Sequence, residues 1–150
     1  MKVIKPPNAL QVEGVSIFLA GSIEMGKAEN WQQKVERLLA DEIVTIFNPR
    51  RDDWDNSWIQ SIDNPNFKEQ VVWELGALDL ADIIAMYFDP STISPISLLE
   101  LGLFADSGKL IVCCPEGFWR KGNVDIVCER YNIEQVPNLG DLVASIIGKV

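Results

Sequence analysis

Two glutamates in helix-like segments are the residues of this sequence best suited to chemistry. Glu74 lies in QVVWELG and Glu100 lies in SLLELG. The 150-residue chain contains no histidine, which excludes Ser-His and Cys-His nucleophile pairs, imidazole acid-base catalysis and histidine-bound metals. Acid-base chemistry near neutral pH therefore falls chiefly to carboxylates. Taken alone, a glutamate in the middle of a helix is more often a solvated surface group than a nucleophile.

Polar residues collect after three of the predicted strands. Gly21 and Ser22 follow the first strand, the segment NPRRDD (48–53) follows the second, and Asp89 follows the third. The carboxyl ends of parallel strands meet at one edge of a sheet, where α/β proteins bind their ligands. We therefore expect these segments to converge on one ligand-binding crevice.

A phosphate-binding P-loop is a competing interpretation of residues 21–27, GSIEMGK. They match the first seven positions of that motif and lie between a predicted strand and a predicted helix. The next residue is Ala28, where a P-loop needs Ser or Thr to bind magnesium, and Glu24 brings a negative charge into a loop meant for phosphates. The pattern favours a ligand-facing loop whose glycines permit a tight turn.

Short apolar runs and helix-like segments alternate after a proline-containing lead-in. The predicted strands are 15–20, 43–47, 82–88, 110–114 and 134–136, and the predicted helices are 28–40, 67–80, 94–107, 123–131 and 138–147. Ser94 is expected to cap the third helix, with Pro95 at its first position. This order predicts an α/β fold, a single domain over residues 1–150 with a five-stranded parallel sheet. The aperiodic stretch 48–67 predicts a functional lid or a binding loop, and its three aromatic residues argue against disorder.

Charge and cysteine content restrict the partners and the compartment. The net charge of -9 argues against nucleic acids and anionic membranes as partners. Cys113, Cys114 and Cys128 give neither a disulfide framework nor zinc-site spacing. No apolar run approaches the roughly 20 residues that span a bilayer, and the N-terminus lacks the apolar stretch of a signal peptide. We expect a cytoplasmic protein with neither a metal nor a cofactor.

Four segments, taken in order, point to one protein family. They are IFLAGSI (17–23), NPRRDDW (48–54), QVVWELGALDLADII (70–84) and SPISLLELGLFADSGKLIV (94–112). Together they resemble the nucleoside 2-deoxyribosyltransferase family, particularly its 2-deoxyribosyltransferase-like branch, and the ordered set is more specific than any one segment. The resemblance implies a flavodoxin-like (Rossmann-like) three-layer fold. It also implies an enzyme that transfers a deoxyribosyl or ribosyl group from a nucleoside to a free nucleobase.

The resemblance also gives the two glutamates distinct roles. In that family the glutamate of the E-L-G segment attacks the anomeric carbon, and a second base captures the glycosyl-enzyme intermediate. Glu100 holds that place here. The family's acidic residue on the preceding helix maps to Glu74, where the better-known members carry Asp. We expect Glu74 to donate or relay a proton to the departing base, with Gln70, one turn earlier, helping to orient the ligand.

A wider set of residues is expected to contact the substrate. These residues are Gly21, Ser22, Asn48, Arg51, Asp52, Asp53, Trp54, Gln70, Trp73, Asp89, Ser94 and Asn123. Two positions depart from the family pattern, because Phe18 replaces its early tyrosine and Ser94 replaces an acidic residue that reads the base. Base and sugar preference therefore stay open, and the cluster from Arg51 to Trp54 is a possible replacement for the lost contacts.

The quaternary structure and the reaction both leave alternatives. Family members form homo-oligomers in which a neighbouring subunit completes each site, which implies a dimer or a larger even assembly with residues 119–125, including Asn123, reaching across. One alternative function is an N-glycoside hydrolase of nucleosides or nucleoside 5'-monophosphates, in which water captures the intermediate. The others are a non-catalytic nucleotide-binding module and a P-loop phosphotransferase that would depend on Lys27.

Overall fold

A parallel sheet forms the centre of the computed structural model. In the ranges that it describes, 1–24 and 28–150, the chain forms six strands and five helices. The strands are β1 (Lys2–Ile4), β2 (Val15–Gly21), β3 (Val44–Phe47), β4 (Ile83–Tyr87), β5 (Leu110–Cys113) and β6 (Glu134–Val136). Their order across the sheet is β1-β3-β2-β4-β5-β6, and each neighbouring pair is parallel.

The prediction of five strands is wrong, because the lead-in contributes the edge strand β1. Lys2 lies opposite Thr45 and Ile4 lies opposite Phe47 in the register with β3. A run of three residues is too short to show an alternating pattern, and Pro6 and Pro7, which follow after Lys5, favour a non-strand interpretation. Without β1 the order is β3-β2-β4-β5-β6, which is that of flavodoxin-like proteins.

Helices cover both faces of the sheet. They are α1 (Trp31–Leu38), α2 (Pro65–Leu80), α3 (Pro95–Phe104), α4 (Lys121–Tyr131) and α5 (Leu139–Ile147). Trp73, Leu101 and Val124, from α2, α3 and α4, belong to one apolar cluster, whereas Trp31 and Leu142, from α1 and α5, belong to the other. The structure is therefore an α/β fold consistent with the flavodoxin-like class.

The helix starts show which local signals decide the boundaries. Asn64 caps α2 by accepting a hydrogen bond from the Phe67 N–H at 3.0 Å, and Pro65 occupies the first turn. Ser94 does precede α3, but it adopts a left-handed conformation with φ 47° and its hydroxyl bonds elsewhere. The expected side-chain cap at Ser94 is thus wrong. Among the described residues, no helix is both long enough and apolar enough to cross a membrane.

Candidate functional site

The carboxyl ends of β2 and β4 mark the place where the sheet can bind a ligand. These strands are neighbours, and the chain leaves β2 toward β3 on one side and β4 toward β5 on the other. A crevice forms at such a reversal because the two connections diverge. The flanking helices α2 and α3 lie on the same face of the sheet and carry the two glutamates.

Gly21 ends β2 at a point where no side chain fits. Its φ is 141°, and an added Cβ would lie 2.1 Å from the carbonyl oxygen of Tyr87 and 3.0 Å from the ring of Trp31. The Ser22 N–H then donates to the same Tyr87 carbonyl at 3.1 Å. Gly21 therefore lets the loop after β2 turn tightly against the end of β4.

Three buried hydroxyls join the loops after β2 and β4. Thr92 Oγ1 lies 2.9 Å from Ser22 Oγ and 2.7 Å from Ser94 Oγ, and the two serine hydroxyls are also hydrogen-bonded to each other. Thr92 also donates to the Asp89 carbonyl at 2.8 Å, and the Asp89 N–H donates to Ser22 Oγ at 2.9 Å. These groups satisfy one another within the protein, so Ser22 and Ser94 hold the two loops together.

Two carboxylates hold the same loops from outside the hydroxyl cluster. Glu24 Oε1 accepts the N–H groups of Ile93 and Ser94 at 2.7 and 2.6 Å. Asp89 accepts the Ser91 N–H at 2.9 Å and the Ser91 hydroxyl at 2.7 Å. Burial acts to raise the pKa of Asp89, but the hydrogen bonds from Ser91 and from the Glu29 N–H together outweigh it, so the pKa is lowered and the carboxylate stays ionised. The charge and the hydrogen bonds of Asp89 therefore stabilise the loop.

Glu74 is held by Gln70, one turn away on α2. The Gln70 Nε2 group donates to Glu74 Oε1 at 2.7 Å and to the Pro49 carbonyl at 3.0 Å. Burial raises the pKa of Glu74 to about 7, although the hydrogen bond from Gln70 opposes that change. Glu74 is therefore an acid whose proton can be exchanged near neutral pH.

Glu100 is buried on α3, with only 7% of its surface exposed. Its carboxylate accepts no hydrogen bond from the part of the chain that the structure describes. Burial, followed by the negative charge of Glu74, raises the pKa of Glu100 to about 8. The two carboxyl groups are thus electrostatically coupled across α2 and α3, and the pair keeps a proton near neutral pH.

The residues after β3 point in several directions. The Asn48 side chain turns toward α1, where its Nδ2 donates to Glu36 at 2.6 Å. Arg51 pairs with Asp53 at 2.7 Å and also with Glu69 at 3.1 Å. Asn48 and Arg51 are therefore committed to contacts within the protein.

Asp52 and Trp54 lie further along the same segment. Asp52 pairs with Lys5 at 2.9 Å. Both Asp52 and Asp53 line an open cleft of about 510 Å³ beside β1, and its lining does not include Glu74 or Glu100. Trp54 packs edge-on against Trp58, with the ring centroids 5.0 Å apart. The structure therefore does not bring Asp52 and Asp53 to the carboxyl pair.

Trp73, Asn123 and Lys27 are the remaining residues that the sequence predicts to act at a site. The Trp73 indole is buried beside Phe47 and donates to the Asn8 carbonyl at 2.8 Å, so it packs in the core. Asn123 is exposed on α4. Lys27, together with residues 25 and 26, lies outside the described residues.

Sequence reasoning missed three contributors to the site. Thr92 and Glu24 join loops that are about 70 residues apart in the chain, and no local pattern signals such a contact. The Pro49 carbonyl is a backbone group, and its role depends on how α2 packs against the end of β3. These three positions could be found only from the folded structure.

Comparisons with known proteins identify relatives of the chain. Residues 14–118 match the family described as "Nucleoside 2-deoxyribosyltransferase like", a range that includes both glutamates and strands β2 to β5. No curated protein matches. A solved structure titled "Crystal structure of conserved protein from Enterococcus faecalis V583" is 13% identical, with a TM-score of 0.63 over 91% of this chain and 99% of that chain. At that identity the likeness shows the fold alone.

Proposed function

Because the chain belongs to the nucleoside 2-deoxyribosyltransferase-like family, we propose that it transfers a deoxyribosyl or ribosyl group between nucleobases. The observation that carries this proposal is the pair of carboxyl groups of half-buried Glu74 and buried Glu100, both with raised pKa values, on neighbouring helices of the matched region. Transfer through a covalent intermediate needs one carboxylate as nucleophile and one carboxylic acid as proton donor. Two coupled groups that titrate near neutral pH can share these tasks.

In the proposed first step, a Glu100 oxygen forms a bond to the anomeric carbon while the bond from that carbon to the base breaks. The electron pair of the broken bond stays on the base, which takes a proton from Glu74. In the second step a new base attacks the anomeric carbon, the bond to Glu100 breaks, and Glu74 takes back a proton. The protein and the sugar are both restored, so the net reaction is base exchange.

The first step needs ionised Glu100, but burial and the negative charge of Glu74 raise the pKa of Glu100. A bound sugar brings partial positive charge at its anomeric carbon, which stabilises ionised Glu100. We therefore expect substrate binding to move the proton from Glu100 to Glu74. The ligand itself would thereby prepare both the nucleophile and the acid.

A base-exchange assay tests the proposal. The protein is incubated with a deoxynucleoside and a different free base, and the new nucleoside is measured by chromatography. Wild type should exchange the bases and Glu100→Gln should lose exchange, whereas Glu129→Gln, the same change at an exposed site on α4, should keep it. Free sugar without exchange would instead indicate the hydrolase alternative. Ligand binding without any turnover would indicate a non-catalytic module.

We further propose a homo-oligomer, either a dimer or a larger even assembly. Ile96, Leu99 and Leu103 form a stripe on α3, with exposures of 58%, 59% and 58%, and Leu99 adjoins Glu100 in sequence. Packing this stripe against a second copy would bury it and shield the site from water. Light scattering should report an oligomer for wild type and a smaller species for Leu99→Glu. A monomeric wild type would refute this assembly.

Asn123 and the compartment complete the proposal. Asn123 is proposed to reach the neighbouring subunit's substrate, and Asn123→Ala should raise KM for the nucleoside while leaving the oligomer intact. The three cysteines are unpaired and buried, which suits a reducing compartment such as the cytoplasm.

A further inference from the structure

The Gln70 side chain is clamped between two acceptors. Its Nε2 group donates to the Pro49 carbonyl at 3.0 Å and to Glu74 Oε1 at 2.7 Å. Turning the amide over would place the Gln70 carbonyl oxygen against both of these oxygens, which repel it. The orientation of the amide is thereby fixed, and its Oε1 atom is left buried without a partner among the described residues.

This clamp makes the two oxygens of Glu74 unequal. Oε1 already accepts a hydrogen bond, so it is best suited to be the carbonyl oxygen when Glu74 is protonated. From this geometry we propose that Gln70 is a positioning residue that keeps the transferable proton of Glu74 on Oε2. The inference rests on the proposed function, in which Glu74 gives that proton to the departing base.

The clamp also acts after the proton has left. The bond from Glu74 Oε2 to its hydrogen breaks, the base gains the proton, and Glu74 becomes a carboxylate. The Gln70 N–H then donates to a charged acceptor, and such a hydrogen bond is stronger than one to a neutral acid. Gln70 therefore favours proton release, in agreement with its lowering effect on the pKa of Glu74.

Other charges near Glu74 are few in the described part of the chain. The strands β2, β3 and β4 beneath α2 carry no charged residue. From α3 the facing group is Glu100, whose own pKa is raised by the negative charge of Glu74. The loop after β3 brings Arg51, which is paired with Asp53 and Glu69. Lys5, from the segment after β1, is paired with Asp52.

Direct titration of Glu74 tests the role of Gln70. The carboxyl carbons of the glutamates are followed by ¹³C NMR in the folded protein. The titration runs from about pH 5 to about pH 10, because the pKa of a perturbed carboxyl falls within roughly that range. The Glu74 signal is assigned by its loss in Glu74→Gln. Gln70→Met, which keeps the length but removes both N–H donors, should raise the pKa of Glu74 by about one pH unit.

A second buried glutamine provides the control. Gln32 on α1 is fully buried, and its Oε1 accepts a hydrogen bond from Arg50 at 3.3 Å on the other face of the sheet. Gln32→Met removes a comparable amide and should leave the Glu74 titration unchanged. An unchanged or lowered pKa of Glu74 in Gln70→Met overturns the proposal. If Gln70→Met fails to fold, Gln70→Asn, too short to reach both acceptors, takes its place.

An activity assay distinguishes failure of the positioning role of Gln70 from failure of the proposed function. If wild type exchanges bases, the alkaline limb of its kcat profile should move to higher pH in Gln70→Met by the same amount as the Glu74 titration. A uniform loss of activity with an unmoved limb would contradict the positioning role. If wild type has no turnover, the proposed function fails, and the NMR titration still decides whether Gln70 controls the Glu74 proton.

Discussion

Replacing Glu100 with glutamine should stabilise the folded protein at alkaline pH. Glutamine has nearly the same shape as a protonated glutamate, but it never carries a charge. At low pH the variant therefore resembles wild type, in which the buried Glu100 carboxyl is neutral. At high pH wild type must hold a negative charge in a site that is 7% exposed, beside the charge of Glu74.

The size of this effect on stability follows from the pKa of Glu100 in the folded and in the unfolded chain. In the unfolded chain the proton leaves near pH 4.5, and in the folded protein it leaves near pH 8. Between these values the folded state binds more protons, so the free energy of unfolding falls as pH rises. At about 1.4 kcal/mol per pH unit, the full penalty above pH 8 is on the order of 5 kcal/mol. Below pH 4.5 the penalty is absent.

Urea unfolding of wild type and Glu100→Gln at several pH values measures this effect. The pH runs from about 5 to about 9, which is roughly the interval over which a perturbed carboxyl titrates. The difference in unfolding free energy should grow with pH in favour of the variant. Glu129→Gln should follow wild type, because Glu129 is exposed. A Glu100→Gln variant no more stable than wild type at pH 9 would refute the argument that Glu100 is ionised only at a cost. The variant should also be inactive in base exchange.

Three smaller perturbations test the surroundings of the site. Gly21→Ala should lower the free energy of unfolding by on the order of 3 kcal/mol, because the added Cβ meets backbone atoms. Gly108→Ala, also at positive φ but in open space, should lower it by about 1 kcal/mol, and urea unfolding measures both. Thr92→Val should cost roughly 1–3 kcal/mol by leaving buried hydrogen-bonding groups unpaired. Trp73→Phe, which loses the hydrogen bond to Asn8, should cost about 1 kcal/mol or more and leave base exchange largely intact.

Most of the fold could be predicted because its signals are local. The strands β2 to β6 are apolar runs or short segments between turn residues, and the helices show apolar residues at helical spacing. The edge strand β1 could not be predicted, since its three residues become a strand only by pairing with β3. The start of α1 moved to Trp31 because Asn30 caps it by accepting the Gln33 N–H at 3.2 Å.

The candidate site was less predictable because its properties depend on tertiary packing. The positions of Glu74 and Glu100 follow from the family resemblance, but their raised pKa values depend on burial in the folded protein and, for Glu100, also on the charge of Glu74. The direction of Asn48, which turns to Glu36 on α1, depends on the opposite face of the sheet. Likewise, Ser94 looked like a helix cap from sequence, and the neighbouring hydroxyl of Thr92 competes successfully for it.

The raised pKa of Glu100 opposes a role as nucleophile, since a protonated carboxyl does not attack. Burial, followed by the negative charge of Glu74, raises the pKa of Glu100, and a cation beside Glu100 would lower it. A sugar whose anomeric carbon becomes positive supplies that cation, and low polarity around Glu100 strengthens the attraction between them. The burial that makes ionisation of Glu100 costly therefore also stabilises the transition state more than water would. The loss of stability at alkaline pH and the proposed catalysis therefore have the same physical origin, the burial of Glu100. Glu100→Gln should remove both the stability loss and the base exchange.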